Sequence, residues 1–293
     1  MQSERESSYP KYLYRAHTYG HPYPRYDDAQ TDSFLDRDCV SDYRSWAEYE
    51  RNLKIGGQFE PESPPTEDVF LELSQHLRKL RIKRNSGGNY YRSRMVSLSG
   101  NLCWATHRLC EVWGMAARDG KTPGLAVLDV RKIQERGFHV WRVRDMLRFL
   151  RKSGLESSIE ILDDARSWAN NADEYVCWDF VPGEALVSFT PQPHLRPTNG
   201  TARTLLGGNF VNTCNLSAFG QLRKHSVSLN DYVQLVAGFI RTVAPDGLGW
   251  EVQIQLLEQL ANSFLCPGAW GYHVSASDKE LKRRLNAIAY TDG

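Results

Sequence analysis

Three sets of side chains in this sequence have the types and spacing to do chemistry. Cys103, His107 and Cys110 stand at i, i+4 and i+7 of a helical stretch, so they share a face, and thiolate with imidazole is a set that binds soft metals. A fourth ligand would have to come from elsewhere, and both cysteines lie beside an apolar stripe, where a thiol behaves as a small hydrophobe. Core packing is the preferred account, and no metal is assigned. The run Arg78-Lys79-Leu80-Arg81-Ile82-Lys83-Arg84 could meet phosphates or serve as a nuclear signal, or it is the solvated end of a helix, favourable against the C-terminal dipole. The third set is spread along the chain: Arg15, then Ser97 with Ser99, then Glu174. Its plain alternatives are an ordinary surface ion pair for Arg15 and a solvent-facing strand start for Glu174. No G-x-G-x-x-G, Walker or G-x-S-x-G pattern occurs.

The elements that must position these residues follow from periodicity. Tyr12 to His17 reads as a short aromatic strand carrying Arg15. Cys39 to Ile55 reads as a helix, and Thr66 opens a clearer one in which Val69, Phe70, Leu73, Leu77 and Leu80 share a face. Met95 to Leu98 is a strand that breaks at Ser99-Gly100-Asn101, residues that start helices because a side-chain oxygen there can take an orphan backbone N–H. Leu102, Ala105, Leu109, Val112 and Ala116 then mark one apolar stripe, followed by a strand at Leu125 to Asp129 and a helical turn at Val130 to Glu135. Val140 to Ser153 reads as a helix with Val143, Met146, Leu147 and Leu150 inward and Arg142, Arg144, Arg148 and Arg151 outward, and Ile159 to Trp168 continues helical. Asn170 to Asp173 breaks that pattern before a strand over Glu174 to Val181, a Pro-Gly turn, and another strand over Ala185 to Phe189. Beyond the prolines at 191, 193 and 197, Ser228 to Ala244, Gly249 to Phe264 and Ser277 to Ile288 read as helices.

Totals bound the classes that remain. The 293 residues are 41% apolar with eight Trp, enough for a substantial core in one large domain or two modest ones. Lys and Arg (36) nearly balance Asp and Glu (35), so the net charge of +1 speaks against a dedicated nucleic-acid or membrane binder. Six scattered cysteines without a CxxC pair, an N-terminal stretch without an apolar core, and no apolar run of spanning length lead to an intracellular expectation, in cytoplasm or nucleus.

Taken in order, YLYRAH with Arg15, VSLSGNLCWAT with Ser97 and Ser99, LAVLDV, and DEYVCWDFVPGEALVSF with Glu174 resemble the ADP-ribosyltransferase fold in its Arg-Ser-Glu form. The order and spacing also look like an uncharacterised domain of fungal proteins. The resemblance covers roughly residues 10 to 190 and implies an α+β fold: an ADP-ribosyltransferase-like mixed two-sheet core over 1–195, with a helical insertion at about 40–90, and a helical C-terminal region over 196–293. It implies NAD as substrate and cleavage of its nicotinamide–ribose bond through an oxocarbenium-like state, in a transferase or glycohydrolase. Glu174 would stabilise that charge, and Ser97, with Ser99 beside it, would brace the acid and the nicotinamide ribose; Arg15 would hold the pyrophosphate with its planar fork, and His17 is the fallback ribose contact. Arginine-modifying members carry Gln or Glu where this chain has Ala172, which leaves NAD hydrolysis or another acceptor. The alternative from a different class is an inactive fold of the same kind, binding a partner protein or, less favoured, nucleic acid.

Overall fold

The structure, a computed structural model, describes residues 9–19, 34–35, 67–78, 95–116, 122–154, 159, 161, 163–178, 180–195 and 225–290. The helix expected over Cys39 to Ile55, Leu80 with most of the basic run, and the proline-rich stretch after Leu195 lie outside these residues. In chain order the elements begin β1 (Tyr12–Tyr19), β2 (Phe34–Leu35), α1 (Glu67–Arg78), β3 (Met95–Ser99), α2 (Leu102–Ala116), β4 (Thr122–Asp129) and α3 (Val130–Glu135). They continue β5 (Val140–Arg142), α4 (Val143–Ser153), α5 (Asp163–Ala172), β6 (Glu174–Trp178), β7 (Phe180–Val181) and β8 (Leu186–Pro191). The last are β9 (His225–Val227), α6 (Leu229–Val243), α7 (Trp250–Asn262), β10 (Tyr272–Val274) and α8 (Asp278–Ala287). The chain is thus mixed α and β, with an antiparallel sheet and several helices.

Contacts divide it into two interleaved units: residues 1–10, 22–100 and 129–186 in the first, and 11–21, 101–128 and 187–293 in the second. In the first unit the strands run β5-β6-β3, antiparallel throughout, with Val140 opposite Cys177, Trp141 opposite Val176, Ser97 opposite Val176 and Ser99 opposite Glu174. Its core joins Val69, Phe70, Leu73 and Leu77 of α1 to Val143, Met146, Leu147 and Leu150 of α4, with Met95, Trp141 and Val176 from the strands. Each such side chain, fully buried, contributes about 1.5–3 kcal/mol of transfer free energy. Asp129 caps α3, its carboxylate accepting the N–H groups of Arg131 at 2.9 Å and Lys132 at 3.3 Å.

Two expectations shift here. The helix read from Val140 starts only at Val143, because β-branched Val140 and aromatic Trp141 suit a pleated strand, are both buried there and pair with β6. Arg142 is therefore not one of the outward helical arginines but the last residue of a strand. The helix read over Ile159 to Trp168 runs instead over Asp163–Ala172, through the two asparagines. Burial of Ala169 and Ala172 outweighs the poor helix propensity of Asn, and the chain turns at Asp173, whose φ is 44°.

The second unit has strand order β1-β4-β8 and a separate parallel pair, β9 with β10, that sequence periodicity did not suggest. Its core gathers Tyr12, Tyr14, Leu102, Leu109, Leu125 and Val127 with Tyr232, Val236, Phe239, Leu256, Leu260, Phe264 and Trp270. Ser228 and Ser277 cap α6 and α8, each accepting a backbone N–H three residues on. Gln259 ties α7 to β1: its Oε1 accepts the Tyr12 N–H at 2.9 Å, and its Nε2 donates to the Tyr12 carbonyl at 2.7 Å and to the Tyr14 hydroxyl at 3.0 Å.

Candidate functional site

Ser97, Ser99 and Glu174 come together by the register of two strands. Alternate residues of a strand face one way, so Ser97 and Ser99 of β3 share a face with Glu174 and Val176 of β6, and Ser99 lies directly opposite Glu174. The same face is covered by α1, because Met95 and Val176 belong to the core that α1 builds. From that helix comes a residue the sequence reading passed over. His76 Nε2 stands 2.7 Å from Ser97 Oγ and 3.6 Å from Glu174 Oε1. A signal for it existed, since His76 lies three residues after Leu73, at the edge of the apolar stripe, where a titratable side chain is turned toward the protein.

The carboxylate itself is buried, 7% exposed, and its Oε2 has no hydrogen-bond partner among the described residues. An unsatisfied buried carboxylate oxygen is costly, and such an atom is a candidate to receive a ligand's hydroxyl. The arrangement is not a nucleophilic relay. In a Ser-His-acid triad the acid meets one imidazole nitrogen and the serine the other, whereas here both meet Nε2.

The turn that delivers Glu174 is tied down from three sides. Ser99 Oγ donates to the Ala172 carbonyl at 2.5 Å, and the Gly100 N–H donates to the Asp173 carbonyl at 2.9 Å. Arg142 donates to Asp173 Oδ1 from Nε at 2.8 Å and from Nη2 at 2.5 Å, and its guanidinium lies 5.7 Å from the centre of the Tyr175 ring. Ser99 is thus occupied by the backbone before Glu174, and Asn101, whose Oδ1 accepts the Trp104 N–H at 3.2 Å, is the cap of α2.

Arg15 and His17 lie in the second unit, on β1. The His17 ring meets Phe189 edge-on at 6.3 Å, and burial, helped by the Arg15 charge, pushes its pKa down to about 3. Cys103, also in this unit, donates its thiol to the Ala269 carbonyl at 3.2 Å, and burial pushes its pKa up to about 12. A thiol held protonated is a poor metal ligand. His107 is buried, with its ring 6.3 Å from that of Trp104, and the Cys110 side chain lies outside the described residues. Among the described residues no group of His, Cys, Asp and Glu is placed to hold a metal ion, and no helix is long and apolar enough to cross a membrane.

Residues 27–192, more than half of the chain, match the family described as a domain of unknown function, DUF7587. The chain belongs to this family. The DUF7587 span contains His76, Ser97, Ser99 and Glu174, and it begins after Arg15 and His17. Compared with the curated proteins and with the solved structures, the chain has no match.

Proposed function

We propose that this chain uses NAD, breaking the nicotinamide–ribose bond as an ADP-ribosyltransferase or an NAD glycohydrolase built on an ADP-ribosyltransferase-like core. What supports the reading is one observation: Ser97 and Glu174 share a sheet face, and the carboxylate has an unpartnered oxygen among the described residues. A carboxylate screened from water acts on a developing oxocarbenium charge far more strongly than one in bulk solvent, since Coulomb energy scales inversely with the effective dielectric. Glu174 is then the catalytic carboxylate and Ser97 its neighbour on the ribose side. The roles of Arg15 on the pyrophosphate and His17 on the ribose come from the resemblance alone. Of the role the resemblance gives Ser99 beside Ser97, bracing the acid and the nicotinamide ribose, this reading keeps the bracing of the turn before Glu174, where its hydroxyl is already bonded.

One observation favours a second reading. Glu174 is only 7% exposed and His76 lies against it, which suits a catalytically silent fold that serves as an interaction module for a partner protein or nucleic acid. Nicotinamide release from NAD by the purified full chain separates the two. The first reading expects turnover that Glu174→Ala lowers at least about 100-fold with the fold intact. No release from either protein, both folded, leaves the interaction module.

A further inference from the structure

His76 has no part in the resemblance, yet its imidazole lies beside both residues on which the NAD reading depends. It could act as a lid that swings away, or it could be a permanent member of the site. The packing of α1 decides between these. Val69, Phe70, Leu73 and Leu77 of the same helix are buried in the core of the first unit, so moving α1 aside would return all of them to water. His76 is held in place by the helix that carries it.

We propose that His76 is a positioning residue: it fixes the Ser97 hydroxyl beside the buried Glu174 carboxylate. A serine hydroxyl rotates freely unless a partner selects one orientation, and Nε2 at 2.7 Å does so whether it donates to Oγ or accepts from it. The same nitrogen lies 3.6 Å from Glu174 Oε1, so the imidazole is also a polar neighbour of the buried carboxylate. Glu174 Oε2 is left for a ligand's hydroxyl.

The activity side of this proposal rests on the NAD reading, and its structural side does not. In the full chain, His76→Phe keeps the ring and removes the polar nitrogen. It is expected to lower kcat for nicotinamide release at least about 10-fold with KM within about 2-fold, since it disturbs positioning rather than ground-state binding. His76→Gln, which keeps a hydrogen-bonding group near Ser97, recovers most of that loss. A His76→Phe protein with wild-type kcat overturns the proposal. If wild type releases no nicotinamide, the NAD reading fails by itself, and urea unfolding midpoints of His76→Phe, Ser97→Ala and the double variant decide the rest. Coupled residues give non-additive midpoint shifts, and additive shifts overturn the proposal. Should His76→Phe not fold, His76→Asn, too short to reach Ser97, takes its place in both measurements.

Discussion

At the scale of single residues, burial sets the protonation state of the groups that could react. His17 has its pKa lowered to about 3 by desolvation first and by the Arg15 charge second, so the folded protein keeps it neutral at every ordinary pH. The unfolded chain takes up that proton as pH falls through about 6.5, and the folded chain does not. The stabilisation is therefore complete above the unfolded pKa and is lost as pH falls toward the folded one. Between pH 7 and pH 5 the loss attributable to His17 is about 2 kcal/mol. Urea unfolding at the two pH values, compared between wild type and His17→Asn, measures it: the variant should lose less stability than wild type over this interval. Equal losses in the two proteins would show that His17 does not carry the effect. Cys103 illustrates the same physics with opposite sign, its thiol held protonated and turned to a backbone carbonyl rather than to an ion.

At the scale of elements, the turn between α5 and β6 determines where Glu174 points. It is held by Ser99, by the Gly100 N–H and by the Arg142 fork on Asp173. Gly100 is needed there for close approach: a Cβ would collide with Asp173 Oδ2 and sit 3.1 Å from the Tyr175 ring. The aspartate cannot swing aside without leaving the guanidinium that holds its other oxygen. Gly100→Ala is accordingly expected to cost about 1–3 kcal/mol, read as a lowered urea midpoint, and to reduce any NAD turnover along with it. A variant as stable as wild type would mean the turn has slack. Little of this device was legible in the sequence. Ser99, Gly100 and Asn101 looked like one helix-start signal, and only the paired strands divided the work, with Asn101 capping α2 and the other two bracing the chain before Glu174.

At the scale of the whole molecule, each unit owns a hydrophobic core, and each is assembled from separated stretches of chain. The C-terminal helices α6, α7 and α8 pack with Tyr12, Tyr14, Leu102, Leu109, Leu125 and Val127, and Gln259 secures β1 to α7. Residues 196–293 expressed alone lack all of these partners. The fragment is expected to show no cooperative urea transition and no near-UV circular dichroism, whereas the full chain shows both. A cooperative transition in the fragment would show that the C-terminal helices suffice for a core.

The sequence by itself determined most of the local structure. The stripes of α1, α2 and α4, the helical stretches of α6 and α8, and strands β1, β3 and β6 follow from periods of 3.6 and 2. It also singled out Ser97, Ser99 and Glu174 by type. Only the tertiary structure decided that Val140 to Arg142 extend as a strand, that α5 runs through two asparagines, that β9 pairs in parallel with β10, and that His76 meets Ser97 and Glu174. Each of these depends on a partner distant in the chain. The pairing of β5 with β6, the burial of Ala172 and the seating of α1 on the face of β3 and β6 are long-range contacts, and no window of neighbouring residues contains both sides of them.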